Sequence, residues 1–267
     1  MKHQTLQTLH VLITSLGLVR IISLILYMEF IIFIISGFSL FQIYKLEYIE
    51  TAIILIDFCG LWWGSVLSVF LCVKITNYSN RLFIRLKMNI SKLVPWMLLI
   101  SLVISFLSSL PYSWVLFSIH HINGTDCRKR TMETNVNLFI IIFAGSIIPF
   151  SIFCVSIYLI ILSLLRHSRN MNSQDSGFSD AQKEIHISVI RCMSSFLVFY
   201  TLHIIVYINM PLVCFLRIFV FNFITVTCMC AYPSLHSISL IVCNKELRKS
   251  FLVVFSCTCI MLLDSIP

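Results

Sequence analysis

The sequence has few charged residues. Only 11% of its 267 residues are Asp, Glu, Lys or Arg, and 59% are apolar or aromatic. A soluble globular domain carries about 25% charged residues. No soluble fold of this length can bury so much apolar side chain, so the composition excludes a soluble enzyme. The net charge of +8 does not indicate a free nucleic-acid-binding domain either. It instead raises the question of where the charges lie relative to a membrane.

Motifs for catalysis and for metal binding are also missing from the sequence. It contains no phosphate-binding loop, no Gly-x-Ser-x-Gly, no Cys-x-x-Cys and no His-Glu-x-x-His. No internal repeat occurs, which argues against most transporters built from paired halves. We therefore predict a protein that is not an enzyme and that needs no metal or cofactor.

Long apolar stretches make up most of the chain. A membrane-spanning helix needs about 20 apolar residues. The stretches here are continuously apolar rather than alternating, which favours α-helices over a β-barrel. We predict an all-α membrane protein with a transmembrane bundle over 1–250 and a short apolar cytoplasmic tail over 251–267. The predicted spans cover residues 9–37, 52–75, 93–117, 137–165, 185–210 and 213–243.

Basic residues indicate which side of the spans faces the cytosol. Cytoplasmic loops are enriched in Lys and Arg. Of the 19 basic residues, 13 fall on one side of the predicted spans, five fall on the other, and Arg20 lies within a span. Both ends of the chain are then cytoplasmic. The sequence Asn123-Gly124-Thr125 lies in the longest outer loop and is a predicted glycosylation site, which agrees with this orientation.

Five segments of the chain resemble the type 2 taste receptors, the bitter taste receptors among the G-protein-coupled receptors. The run Leu67–Ser79 resembles the end of that family's third helix, and Arg20 matches the arginine of its second helix. Further similar segments are Ser163–Met171, Tyr232–Ser237 and Asn244–Arg248. Because Arg20 would belong to the second helix, the resemblance implies a seven-helix receptor bundle with six spans present and the first helix missing.

The resemblance also implies a function. We expect a multi-pass receptor of the plasma membrane that binds a small bitter molecule from the extracellular side. It would then activate a heterotrimeric G protein of the gustducin type, with the lipid bilayer as surroundings and no nucleic acid as partner. The alternatives are a vomeronasal type 1-like receptor, a non-functional truncated receptor fragment, or a small membrane transporter.

Four residues are candidates for ligand binding. Trp62 matches the family's ligand-contacting tryptophan, and the alternative is a tryptophan that serves packing or lies at the membrane interface. Val66 lies one turn deeper on the same helical face. Asp57 is expected to pair with a cationic ligand or else to reach water at the outer end of its span. His203 replaces an aromatic residue at a position linked to switching in the family, and the alternative is a histidine that serves only packing.

Other residues are candidates for coupling and for structural support. Arg20, Pro149, Pro233 and His236 are expected to be structural. Basic residues on the inner side are expected to contact the G protein, or alternatively to do no more than orient the chain in the membrane. They are Lys74, Arg85, Lys87, His167, Arg169, Lys183 and His186.

Overall fold

The computed structural model of the chain consists of long helices. It describes residues 2–35, 40–76, 81–120, 127–172 and 194–207. It also describes shorter pieces at 190, 224, 227–229, 231–232, 234–235, 237–238, 249 and 252–253. Throughout these residues the backbone is helical except at Thr76. The four long helices are α1 (Lys2–Ile35), α2 (Leu40–Ile75), α3 (Arg81–His120) and α4 (Cys127–Asn172).

Each of these helices is long and apolar enough to cross a membrane. The qualifying segments are Leu6–Phe33, Lys45–Ile75, Phe83–Leu116 and Val136–Arg166, and Ser194–Tyr207 is a shorter apolar helix. The predicted all-α membrane class is thereby confirmed. The helices overlap the first four predicted spans and extend beyond them. Polar residues mark the end of an apolar stretch in the sequence, but the helix continues through them. The sixth predicted span lies mostly outside the described residues.

Helix α2 is the central element of the described bundle. It packs against α1, α3 and α4, and 61% of the 18-residue apolar window within its span is buried, compared with 22% for the window in α3. The fold therefore presents most of α3 to the surroundings and encloses α2. Residues of α2 therefore make most of the contacts between the described helices.

Two apolar clusters hold the helices together. The larger cluster joins α1, α2, α4 and the helix 194–207, and its fully buried members include Ile54, Phe58, Ile157 and Tyr207. The smaller cluster lies between α1, α2 and α3, and it contains Leu12, Leu16, Val66, Leu67, Phe70, Val73, Ile90 and Val94. Lipid tails are as apolar as these side chains, so within a membrane the clusters hold the helices together by van der Waals packing.

The contact between α2 and α4 requires a glycine. A Cβ atom placed on Gly145 of α4 would lie 2.5 Å from Cζ of Phe58. Phe58 is fully buried, and its ring meets that of Tyr207 edge-on with the centroids 6.2 Å apart. Because the Phe58 ring occupies the space of that missing side chain, the two helices approach closely at this point.

Candidate functional site

A polar cavity lies inside the bundle, between α1, α2, the helix 194–207 and Tyr232. Its polar lining comes from Arg20, Ser23, Asp57, His203 and Tyr232, and its volume is about 20 Å³. That volume is enough for about one water molecule, whereas pockets for drug-sized ligands measure about 300–1,000 Å³. In this conformation the helices are closed around their polar groups.

Asp57 is at the centre of the polar contacts between α1 and α2. Its side chain is buried, with 7% of its surface exposed. The Ser23 hydroxyl donates to Oδ1 at 3.2 Å, and the Tyr27 hydroxyl donates to Oδ2 at 2.5 Å. Met229 Sδ lies 3.6 Å from the same Tyr27 hydroxyl. The predicted alternative, an Asp57 that reaches water at the outer end, is wrong because both oxygens are covered by α1.

Arg20 belongs to the same face of α1 as these two hydroxyls. The spacing of Arg20, Ser23 and Tyr27 is three and then four residues, which places them in one row along a helix. Arg20 is buried, with 6% of its surface exposed, and it interacts electrostatically with Tyr232 and His203. A buried cation and a buried carboxylate therefore line one cavity within the membrane-spanning part of the chain. The structural role of Arg20 stays a prediction.

His203 is stacked between two tyrosine rings. Its centroid is 4.1 Å from that of Tyr232 and 5.6 Å from that of Tyr207, with interplanar angles of 21° and 14°. The side chain is buried, and its Nδ1 atom has no hydrogen-bond partner among the described residues. The structure thus brings His203 to the same cavity as Asp57. A role in switching stays a prediction.

Trp62 and Val66 lie outside the wall of this cavity. Phe58, four residues before Trp62, packs on α4, and Val66, four residues after it, packs with Ile90 and Val94 of α3. Trp62 is half-buried between these two sides, and its indole N–H has no acceptor within the described part of the chain. Asp57 faces α1 instead. Ligand contact by Trp62 and Val66 stays a prediction.

A second polar contact joins α2 to α4 and to the helix 194–207. The Ser65 hydroxyl donates to the Pro149 carbonyl at 2.7 Å. Pro149 is inside α4, where the ring removes one backbone donor. The Tyr200 hydroxyl donates to the Leu61 carbonyl at 3.3 Å. These bonds involve backbone acceptors, which are fixed in position by their helices.

At the predicted inner end of α2, the candidate coupling residues Lys74 of α2 and Lys87 of α3 each donate a hydrogen bond to the backbone of the other segment. Nζ of Lys74 donates to the carbonyl of Lys87 at 3.2 Å, and Nζ of Lys87 donates to the carbonyl of Thr76 at 3.0 Å. Lys74 also lies over the Phe70 ring at 5.9 Å. Lysine near a helix C-terminus satisfies the last carbonyls and complements the helix dipole. The pair therefore closes the joint between α2 and α3.

The other candidate residues are placed only in part. Arg85 is exposed on α3. His167 and Arg169 lie in the last turns of α4, and their side chains are not described. Asn123, Lys183, His186, Pro233 and His236 lie outside the described residues. Their glycosylation, coupling and structural roles stay predictions.

Three residues of the site, namely Ser23, Tyr27 and Tyr232, are absent from the site predicted from the sequence. The row of polar side chains at positions 20, 23 and 27 of an otherwise apolar helix is a signal that could have found the first two. Tyr232 had no such signal, because its approach to Arg20 and His203 depends on how distant segments pack.

The described residues define a multi-pass α-helical membrane protein with an ionisable cluster enclosed by its helices. A family model described as "Taste receptor protein (TAS2R)" matches residues 1–259, and the chain belongs to this family. This is a family of receptors rather than a class of enzymes. The resemblance inferred from the sequence is thereby confirmed.

Individual receptors are similar over most of the chain. Taste receptor type 2 member 39 of Macaca mulatta is 34% identical over 209 residues, covering 76% of this chain and 62% of the relative. The same receptor of Homo sapiens is 34% identical over 212 residues, with the same coverage. Taste receptor type 2 member 40 of Gallus gallus is 31% identical over 208 residues, covering 75% and 67%. The chain thus spans less than two thirds of the length of the first of these relatives.

Proposed function

We propose that the chain is a G-protein-coupled bitter taste receptor of the plasma membrane. It binds small molecules from the extracellular side and activates a G protein of the gustducin type. Its membership in the taste receptor family supports this proposal. The observation that carries it is the buried cluster of Arg20, Asp57 and His203, because ionisable residues inside a membrane bundle are costly and mark functional sites.

The cavity acts as a switch between packings of the helices. Its small volume leaves no room for a drug-sized ligand, so a ligand that reaches this depth must separate α1, α2 and the helix 194–207. Asp57 would then exchange its bonds with Ser23 and Tyr27 for bonds with the ligand. A ligand shifts such an equilibrium only by the difference between its affinities for the two packings.

Trp62 contributes a second contact for the ligand. An indole can stack on a flat apolar molecule, and its N–H needs an acceptor when it is buried. The N–H of Trp62 has no acceptor among the described residues, and this supports the role, since a ligand oxygen would supply one. Val66 packs one turn further along α2 and limits the depth that a ligand reaches on this side.

The inner face transmits the change to the G protein. Lys74 and Lys87 fix the end of α2 against α3 through their bonds to backbone carbonyls. A shift of α2 at Asp57 is therefore carried to this joint as a movement of both helices. His167, Arg169, Lys183 and His186 complete the proposed coupling region.

The test is a calcium assay in cells that express the chain with a gustducin-type G protein and receive a panel of bitter compounds. The expected result is a response to at least one compound, with the half-maximal concentration raised about tenfold or more by Asp57→Asn or Trp62→Phe. Ser151→Ala is the matched control, because that side chain is exposed and its hydroxyl donates to the Ile147 carbonyl of its own helix. No response from well-expressed chain at the cell surface would contradict the proposal. Uptake of a labelled compound in proportion to expression would favour a transporter instead.

A further inference from the structure

The outward face of α3 forms one continuous stripe along the helix. Successive residues in a helix are turned by about 100°, so residues separated by three, four or seven positions share a face. The exposed side chains of this stripe are Arg81, Arg85, Met88, Lys92, Trp96, Leu99, Val103, Phe106, Leu110 and Trp114. They are exposed because the opposite side of α3 packs on α2.

The chemical character of the stripe changes abruptly at Trp96. From Trp96 to Trp114 its members are apolar, and both tryptophans are largely exposed, at 64% and 76%. They are separated by about 27 Å along the helix at 1.5 Å per residue, close to the hydrocarbon thickness of about 30 Å. Tryptophan is enriched at both membrane–water interfaces. The stripe therefore spans the hydrocarbon between Trp96 and Trp114.

Between the N-terminus of α3 and Trp96, which we call below Trp96, the stripe is basic. Lys92, Arg85 and Arg81 are exposed, and the first turn of α3 contains no acidic residue. An open groove of about 320 Å³ is lined by Arg81, Arg85 and Asn89 together with the apolar Ile84 and Met88. The groove thus combines cationic donors with apolar surface and continues directly from the lipid-facing stripe.

Lys87 shows that these cations are distinct from the joint between α2 and α3. It lies on the inward side of α3, where its Nζ is bonded to the Thr76 carbonyl. Arg85 and Lys92, which flank it in the sequence, point outward and are exposed. The basic residues of α3 therefore serve two purposes, one within the bundle and one on its outer surface.

We propose that the outward face of α3 from Arg81 to Trp96 binds an anionic lipid of the cytoplasmic leaflet with a polyphosphorylated inositol headgroup. The acyl chains lie along the apolar stripe above Trp96, and the phosphates are bound by Lys92, Arg85 and Arg81. This assignment rests on the proposed orientation, in which the start of α3 faces the cytosol. It removes Arg85 from the residues expected to contact the G protein.

The positions of the three cations along α3 indicate which kind of lipid headgroup can contact all of them. Lys92 is about 6 Å below Trp96, while Arg85 and Arg81 are about 16 and 22 Å below it. The headgroup layer of one leaflet is only about 5–8 Å thick, so a phosphodiester at the membrane surface reaches Lys92 alone. Contact with the arginines needs further phosphates that project beyond this layer, helped by tilt of the helix and the reach of arginine.

A lipid fits this face better than a protein partner. The bilayer already covers the apolar side chains of the stripe, so a lipid in contact with them reaches Arg81 and Arg85 without a separate partner, whereas a protein at these arginines would share the face with lipid. One lipid satisfies both parts. Basic clusters next to a membrane span attract anionic lipids by about 1 kcal/mol for each Lys or Arg.

The test measures lipid binding directly, with the purified chain and no bitter compound or G protein. Native mass spectrometry counts bound dioleoyl phosphatidylinositol 4,5-bisphosphate, phosphatidylserine and phosphatidylcholine, each offered at equal concentration. We expect affinity to fall in that order. Arg81→Gln with Arg85→Gln should weaken binding of the bisphosphate lipid roughly tenfold or more and leave phosphatidylserine nearly unchanged, whereas Lys92→Gln should weaken both.

The matched control is Arg166→Gln with Lys249→Gln, which removes the same charge from exposed positions on the same side. An equal loss in this control, or equal binding of the bisphosphate lipid and phosphatidylserine, would overturn the proposal. Circular dichroism of each variant checks that the helices are still folded. The charge-retaining pair Arg81→Lys with Arg85→Lys should keep most of the binding of the bisphosphate lipid. Because the readout is lipid binding, a failure to signal leaves the result unaffected.

Discussion

The two sides of α2 join their neighbours in different ways. Toward α1, the contact is polar and encloses a small cavity, in which Asp57 accepts hydroxyl bonds from Ser23 and Tyr27. Toward α4, the contact is close-packed, with Phe58 in the space beside Gly145. A close-packed apolar contact has one arrangement, whereas a group of donors and acceptors around a cavity can exchange partners. The α1 side is therefore the side suited to movement, and the α4 side is suited to hold α2 in place.

Removal of the Asp57 carboxylate should destabilise the polar contact between α1 and α2 and should have the largest effect on stability. Asp57→Leu deletes the acceptor of both hydroxyls beside the buried Arg20. Leaving a buried hydroxyl without its acceptor costs about 1–3 kcal/mol for each of the two groups. We expect a large fall in the thermal unfolding midpoint of the detergent-purified chain. Asp57→Asn keeps one acceptor oxygen and should lose about 1 kcal/mol; equal losses in the two variants would show that the hydrogen bonds do not stabilise this interface.

A single added methyl group should destabilise the apolar contact between α2 and α4. Gly145→Ala forces the Phe58 ring away from its position, and overpacking of this kind costs about 1–3 kcal/mol. Gly64→Ala in α2 is the matched control, because an added Cβ there meets no described residue within 4 Å. Thermal unfolding of the two variants should differ clearly. A Gly145→Ala chain as stable as wild type would mean that α2 and α4 are not in close contact.

The polar bond on the α4 side should contribute less than either of these features. Ser65→Ala removes the hydroxyl that donates to the Pro149 carbonyl, and a single hydrogen bond is worth about 1 kcal/mol. The control is Ser151→Ala, which removes a hydroxyl that, among the described residues, is bonded to Ile147 of its own helix. We expect the unfolding midpoint to fall for the first variant and to stay constant for the second.

The joint at the inner end of α2 should show the smallest effect on stability. Lys87→Met removes the ammonium that is bonded to the Thr76 carbonyl. A partly exposed cation at a helix C-terminus is worth about 0.3–1 kcal/mol. Lys87→Arg should restore most of the loss, and Lys45→Met, at an exposed position, should cause none. Thermal unfolding at low and high salt checks this, since salt should reduce the difference.

Sequence patterns predict much of this fold and less of its site. Continuous apolar runs identify the helices, but they do not show that α2 begins at Leu40 or α3 at Arg81, because polar helix ends resemble loops in composition. The face shared by Trp62 and Val66 follows from helical spacing. Which neighbour that face meets depends on the rotation of α2 in the bundle. For the same reason the pairing of Asp57 with Tyr27, which lies 30 positions earlier, could not be predicted.

The most direct test of the account compares Asp57→Asn with Ser65→Ala in the calcium assay, with each signal divided by the amount of receptor at the cell surface. We expect Asp57→Asn to change the signal per receptor and to raise the half-maximal ligand concentration about tenfold or more. We expect Ser65→Ala to change neither and to lower only the unfolding midpoint. An unchanged signal per receptor in Asp57→Asn, or the same change in both variants, would contradict the claim that the polar side of α2 is the one that moves.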